Sequence, residues 1–135
     1  SFDIIGAYLS NCTGLASQWT TSDRKLKHDI EEFGDKYDVL FDSLSPVRYK
    51  YNDGTSDRYH TGFITEDVEK AIETAGLTEK DFAAFVKVQD GESEFGALRY
   101  EEFISLNTWE IQKLKQTVMD LQKEIIALKA KKQSV

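Results

Sequence analysis

Ser22 and Lys27 form the pair of side chains whose types and spacing best predict nucleophilic chemistry. A serine hydroxyl is a weak nucleophile and needs a base to take its proton. A lysine amine can be that base if burial lowers its pKa from about 10.4 towards neutrality. The same five-residue spacing also fits a structural alternative, in which Ser22 caps a helix that begins at Asp23 and Lys27 points to water. The residues alone leave both interpretations open.

Other catalytic and metal-binding arrangements find little support in the sequence. Cys12 is the single cysteine, so an intrachain disulfide cannot form, and together with His28 and His60 it does not complete a usual zinc ligand set. Neither common glycine-rich phosphate loop is present, and acidic runs such as Glu31-Glu32 are typical of a solvated surface. We therefore expect no cofactor and no bound metal.

Charge and hydropathy argue against two classes of binding partner, nucleic acid and membrane. The chain has 135 residues, with 17 Lys plus Arg against 24 Asp plus Glu, which gives a net charge of −7. This balance argues against a general nucleic-acid binder, and no apolar run approaches the length of a membrane span. The first residues lack both a Met and a basic segment, so we expect a piece of a longer chain rather than a signal peptide.

Composition and periodicity divide the chain into three predicted segments. Residues 1–21 carry one charged side chain, Asp3, and are expected to end an upstream β-rich fibre or spike. At Ser22 the sequence becomes strongly charged, and such a step indicates a boundary. Residues 22–103 are predicted to form a small mixed head, and residues 104–135 a long helix. The predicted fold class is therefore α+β.

Local patterns predict the elements of the head. Pro46 should end a first helix, Gly76 suits the end of a second, and period-two alternation marks the strand that follows Pro46. The predicted elements are a helix over Asp35–Ser45, strands over Val47–Tyr51 and Tyr59–Ile64 around the turn Asn52-Asp53-Gly54, a helix capped by Thr65, another short helix that starts with Thr78-Glu79-Lys80-Asp81, and strands over Val86–Val88 and Phe95–Tyr100.

The last segment has a seven-residue apolar repeat. Heptad positions a and d are filled by Ile104, Asn107, Ile111, Leu114, Val118, Leu121, Ile125 and Leu128. A repeat of 3.5 residues over about 30 residues favours self-association over a helix that packs only on its own domain. Across a parallel interface, Glu110 at g can pair with Lys115 at the following e position, and Glu124 with Lys129. Ile or Val at a with Leu at d tends to favour two strands.

Four segments in order resemble one known family. They are Ser22-Asp23-Arg24-Lys25-Leu26-Lys27-His28-Asp29-Ile30, Leu44 to Tyr51, His60 to Glu69, and the long C-terminal helix. Together they resemble the intramolecular chaperone auto-processing domain found at the C-termini of phage tail spikes, tail fibres and neck appendages, including endosialidases. A related domain occurs in a membrane-bound animal transcription factor. The family more often has Ala-Gln where Thr65-Glu66 stands here.

The resemblance implies a self-cleaving folding aid. Such a domain forms a homotrimer, holds three copies of the preceding β-fibre in register, and is then released by autoproteolysis in the host cytoplasm during virion assembly. Carried over, the cut falls between Thr21 and Ser22, with Ser22 as nucleophile and Lys27 as general base of a Ser-Lys dyad. Asp23 either orients Lys27 or only starts a helix, with the second role slightly favoured, and the oxyanion donor is His60, Arg99 or backbone N–H groups. The implied partners are further copies of the chain and its upstream fibre, with no nucleic acid and no membrane.

Two other functions stay open at this point. The chain could be a non-catalytic trimerisation or adhesion module in which Ser22 only caps a helix. It could also be a separate hydrolase acting on other molecules, although no second motif supports that class.

Overall fold

The computed structural model describes residues 20–53 and 56–134. The chain divides into two compact units, residues 1–32 and residues 33–135. In the described residues, the first unit contains a 3₁₀ turn over Arg24–Leu26. The elements of the second unit are α1 (Asp35–Ser43), β1 (Val47–Tyr49), β2 (His60–Gly62), α2 (Thr65–Thr74), β3 (Phe85–Asp90), β4 (Ser93–Leu98) and α3 (Glu102–Gln133).

The strands form two separate antiparallel hairpins. In the first, β1 pairs with β2 in a register that places Val47 opposite Gly62 and Tyr49 opposite His60. In the second, β3 pairs with β4 from Phe85 and Leu98 down to Asp90 and Ser93. The second hairpin closes through Gly91 and Glu92, and Gly91 has φ +64°, a value that glycine adopts without a steric penalty. The α+β class with a long C-terminal helix is thus confirmed.

One hydrophobic core joins the helices to the second hairpin. Its buried members are Leu40, Val68, Ala71, Ile72, Ala75, Phe82, Ala84, Phe85, Phe103 and Leu106. Leu40 comes from α1, while Phe103 and Leu106 come from the first turns of α3. The beginning of the long helix is therefore part of the core of the head.

Helix α2 ends in a Schellman motif. The N–H of Gly76 donates to the carbonyl of Glu73, and the N–H of Leu77 donates to the carbonyl of Ile72. Gly76 has φ +70°, the left-handed conformation that this motif requires. The predicted role of Gly76 at the helix end is confirmed.

Several predicted boundaries were wrong for local reasons. Leu44 is extended with ψ 144°, so α1 stops at Ser43 rather than at Ser45. Ile64 occupies the N-cap of α2 instead of Thr65, whose hydroxyl donates to the Glu66 carboxylate at 3.1 Å. The strands of the first hairpin are three residues each, and α3 begins at Glu102. Of the predicted turn, Gly54 lies outside the described residues.

The predicted short helix from Thr78 to Asp81 is a turn. Asp81 accepts hydrogen bonds from the backbone N–H of Thr78 at 2.7 Å and from its hydroxyl at 3.1 Å. The Asp81 N–H donates in return to the Thr78 carbonyl at 2.9 Å. Because these bonds close the segment on itself, it does not continue as a helix. They also hold the pKa of the Asp81 carboxyl below its usual value.

Candidate active site

A single 3₁₀ turn brings Ser22 and Lys27 together. Asp23 is extended, with φ −64° and ψ 140°, and its carbonyl accepts the N–H of Leu26 at 3.0 Å. The N–H of Lys27 donates to the carbonyl of Arg24, also at 3.0 Å. This tight turn reverses the backbone over the residues between Ser22 and Lys27, so side chains five positions apart reach each other.

The Lys27 ammonium donates a hydrogen bond to the Ser22 hydroxyl, with 2.5 Å between Nζ and Oγ. A pair at this distance can exchange a proton directly. For Lys27 to act as a base, its amine must be neutral and must accept the proton of the hydroxyl. We call Ser22 and Lys27 the dyad below. The structure brings these two predicted residues together, whereas their catalytic role stays a prediction.

The residues around the dyad are open to solvent. Every described residue from Thr20 to Glu32 is exposed, including the apolar side chains of Leu26 and Ile30. The carboxylate of Asp23 lies 3.9 Å from Nζ of Lys25, a weak contact between two exposed groups. Asp29 has φ +50°, a left-handed conformation that Asp tolerates better than most residues. A single chain therefore supplies the geometry of the dyad without burying it.

The two predicted oxyanion donors belong to the second unit, where each has other partners. The His60 ring lies 5.7 Å from the Tyr49 ring, nearly parallel to it, and 5.0 Å from the Tyr51 ring. The guanidinium of Arg99 donates through Nη1 to the carbonyl of Ala83 at 2.9 Å. These contacts give His60 and Arg99 structural roles within that unit, and an oxyanion role for either stays a prediction.

The cationic side chains in and just after β1 contact groups of the same chain. The Arg48 guanidinium lies 4.1 Å from the centre of the Tyr59 ring, and Nζ of Lys50 lies 4.8 Å from it. Lys50 also pairs with Asp57 at 3.0 Å. A hydrogen bond to Tyr51 and partial burial raise the pKa of Tyr49 to about 12. The alternating aromatic and basic side chains of residues 48–51 thus contact groups of their own unit.

Within residues 20–53 and 56–134, no group of His, Cys, Asp and Glu side chains is arranged to hold a metal ion. The helices among those residues include none that combines the length and the apolar character needed to cross a membrane.

Comparison with known proteins finds a family model that matches part of the chain. Residues 22–77 match a model described as "Chaperone of endosialidase". This segment, which is less than half of the chain, is therefore similar to that family. The match begins at Ser22 and continues through α1, the first hairpin and α2. It therefore includes both residues of the dyad.

A solved structure extends the likeness to the fold of the chaperone domain. The protein described as "Crystal structure of a novel intramolecular chaperon" superposes with a TM-score of 0.57 at 22% identity. The alignment covers 70% of this chain and 99% of that one, so the two share a fold. No curated protein sequence matches the chain significantly.

A second candidate surface follows the long helix. We call the residues at a and d positions the seam: Ile104, Asn107, Ile111, Leu114, Val118, Leu121, Ile125 and Leu128. All of them are exposed in the single chain. Burial of apolar side chains is favourable by about 1.5–3 kcal/mol for each large one, so a continuous exposed row of them indicates an interaction surface.

The head packs on the opposite side of the same helix. The buried residue Leu106 and the half-buried Trp109 occupy positions c and f, which lie away from a and d on a helical wheel, while the buried Phe103 and the half-buried Glu110 occupy g positions at the border of the two faces. Sequence reasoning missed this second face. The signal was present in the three-residue spacing of Phe103, Leu106 and Trp109, but it spans only two turns and is outweighed by the longer heptad pattern.

Proposed function

We propose that the chain is an intramolecular chaperone that trimerises, holds the upstream segment of three chains in register, and releases itself by cutting between Thr21 and Ser22. The observation that carries the proposal is the 2.5 Å contact between Lys27 Nζ and Ser22 Oγ at the first residues of the family match. The name of that family model also classes its members as peptidases. We expect the cut to occur in the host cytoplasm during virion assembly.

The cleavage uses a carbonyl that the chain itself holds next to the nucleophile. Neutral Lys27 takes the hydroxyl proton of Ser22, and Oγ attacks the carbonyl carbon of Thr21 through a five-membered ring. The tetrahedral intermediate collapses by breaking the C–N bond, and the Lys27 ammonium returns the proton to the leaving amine. Water then hydrolyses the Thr21 ester, which gives a carboxylate on Thr21 and a free hydroxyl on Ser22.

Two requirements of this reaction are unmet in one exposed chain. An ammonium loses its proton readily only when burial disfavours its charge, and the tetrahedral oxyanion needs hydrogen-bond donors directed at it. Because residues 20–32 are exposed, something further must cover the dyad. We propose that association of the chains buries the dyad. His60, Arg99 and backbone N–H groups remain the proposed oxyanion donors.

The seam supports the association. Three parallel helices would bury its apolar side chains against one another, while the heads remain on the outer face. Asn107 is the one polar d residue, and a single polar core position fixes register and oligomer state at a cost in stability. The a and d pattern favours two strands, so we assign the choice of three to Asn107 and to contacts between heads.

The chaperone role has a kinetic reason. An intertwined fibre of three chains depends on non-local strand pairing, which forms slowly and can slip in register. A helical seam forms through local contacts, and joining three chain ends raises the effective concentration of the upstream strands to about millimolar. Cutting after Thr21 removes the template, so the finished fibre is kinetically trapped.

Intact-mass analysis over time tests the cleavage. Wild type should split into a 21-residue piece and a chain that starts at Ser22. Ser22→Ala and Lys27→Ala should both stay whole. Lys25→Ala is the matched control, because this lysine lies in the same turn but faces Asp23, and it should cleave like wild type. An associated wild-type chain that remains intact would contradict the catalytic proposal.

A non-catalytic trimerisation or adhesion module is the second candidate. The exposed seam favours it, since association through α3 does not depend on the dyad. This function predicts a stable oligomer of full-length chains in which Lys27→Ala changes nothing.

A further inference from the structure

Charged side chains meet where α1 packs on α3. The Lys113 ammonium forms a salt bridge with the Asp38 carboxylate and lies 4.2 Å from the centre of the Trp109 ring. Glu110 stands one turn before Lys113 and is half-buried. Its Oε1 atom is shielded from solvent and has no hydrogen-bond partner among the described residues.

This environment favours the neutral form of Glu110. Burial, hydrogen bonding with Asp38 and the negative charges of Asp38 and Asp42 raise its pKa to about 6, and Lys113 acts in the opposite direction. Hydrogen bonds from Lys113 and with Glu110 lower the pKa of Asp38, so Glu110 is the first of the two carboxyl groups to take up a proton as the pH falls. The charged groups that bear on the cluster are Asp35, Asp38 and Asp42 from α1 and Lys113 on α3.

The heptad pattern also places Glu110 where it can pair with a second copy of the chain. It occupies a g position, from which a carboxylate can pair with Lys115 of a second copy across a parallel interface. That pairing requires the charged form and a side chain turned towards the seam. The position beside Asp38 favours the neutral form, and one side chain cannot lie beside Asp38 and pair with Lys115 of a second copy at the same time.

We propose that Glu110 couples the docking of α1 on α3 to the association of α3 with further copies. As a neutral acid it stays against Asp38, and as a carboxylate it pairs with Lys115 of the adjoining copy. This inference rests on the parallel association in the proposed function.

The sign of the pH dependence follows from the direction of the shift. A carboxyl whose pKa is raised stabilises the docked form fully below its ordinary value of 4.5, and this contribution is lost as pH rises through about 6. Association requires the carboxylate form of Glu110, so the association constant rises over the same pH range. If pairing returns Glu110 to its ordinary pKa, the association constant should fall by roughly tenfold per chain from pH 8 to pH 5.

Sedimentation equilibrium at pH 5 and pH 8 tests the coupling, with every variant also carrying Ser22→Ala so that the chain stays whole. Ser22→Ala alone should associate more weakly at pH 5. Glu110→Gln should lose this difference, and the comparison cancels every other titrating group, both histidines included. Glu124→Gln is the matched control, because Glu124 has the same heptad position on an exposed part of the helix and should keep the difference.

Asp38→Asn provides an independent reading if Glu110→Gln folds poorly. Removing the neighbouring carboxylate should move the step in association to lower pH. Unchanged pH dependence in both Glu110→Gln and Asp38→Asn would overturn the coupling while leaving the association intact. A parent chain that is monomeric at both pH values would instead overturn the association itself, and the coupling with it.

Discussion

Phe103 and Ile104 are neighbours in the chain that point to opposite environments: Phe103 is 3% exposed and Ile104 is 66% exposed. The Phe103 ring packs 4.7 Å from the Phe63 ring and 5.2 Å from the Phe82 ring. Ile104 begins the seam. The first turns of α3 therefore belong to the core of the head on one face and offer the seam on the other, so the core and the seam use different apolar side chains.

Paired substitutions along the helix should separate the seam from general hydrophobicity. Leu121 is at d and Met119 at b, and they are similarly exposed at 51% and 43%. Leu121→Ser should weaken association strongly because it removes an apolar side chain from the interface of every chain. Met119→Ser removes a comparable side chain from outside the a and d positions and should change association little. Sedimentation velocity of the two variants in a Ser22→Ala background measures the difference.

Circular dichroism of the same samples provides the control. Neither residue contributes to the core of the head, so both variants should keep its fold. Equal weakening by both substitutions would show that the a and d register does not define the interface.

Mixing two inactive variants should not restore cleavage. The Lys27 ammonium reaches the Ser22 hydroxyl of its own chain within one turn, so each dyad is complete in cis. Co-refolded Ser22→Ala and Lys27→Ala chains should therefore both remain intact in the mixed assembly. Mass spectrometry of the mixture, with one chain isotope-labelled, checks this outcome. Cleavage of the Lys27→Ala chain would mean that the base comes from a neighbouring copy.

How well the sequence predicts a structural feature depends on how far apart its residues lie in the chain. Spacing alone left two interpretations of Ser22 and Lys27 open, and the resemblance of residues 22–30 to a known family selected the dyad, which one tight turn brings together. The heptad pattern of α3 repeats over enough residues to be recognised although single positions such as Asn107 depart from it. Both features depend on residues close together in the chain, and for that reason the sequence was sufficient to find them.

Two local boundaries and one tertiary cluster were missed. Thr65 has the chemistry of an N-cap, yet Ile64 takes that position and Thr65 is the first residue of α2. The turn at Thr78 depends on a side-chain bond from Asp81, which composition alone does not distinguish from a helix start. The cluster of Asp38, Glu110 and Lys113 joins residues more than 70 positions apart, so no periodicity could reveal it.

Two glycines should respond to substitution in opposite directions. Gly76→Ala forces a side chain into the left-handed region and should destabilise the fold by about 1 kcal/mol. Gly34 is the N-cap of α1, has φ −107°, and has open space where a Cβ would stand. Gly34→Ser adds a capping hydroxyl and lowers the entropy of the unfolded chain, so it should stabilise by about 0.5 kcal/mol. In thermal unfolding at one protein concentration, Gly76→Ala should melt at a lower temperature than the parent protein and Gly34→Ser at a higher one. Destabilisation by both variants would contradict the capping role of Gly34.

Gly62 and Tyr100 should be energetically coupled. A Cβ on Gly62 would overlap the Tyr100 hydroxyl and come within 3.0 Å of the ring carbon that bears it. Gly62→Ala should therefore cost about 1–3 kcal/mol by displacing the ring. Tyr100→Phe alone should cost about 1 kcal/mol, because the Phe63 N–H loses its hydrogen bond to the hydroxyl at 3.2 Å. In the double variant the overlap with oxygen is gone, so the two costs should not add. Urea unfolding of the four proteins of the cycle, each carrying Ser22→Ala, measures the coupling. Strictly additive costs would show that the close approach of Tyr100 is not what requires glycine at position 62.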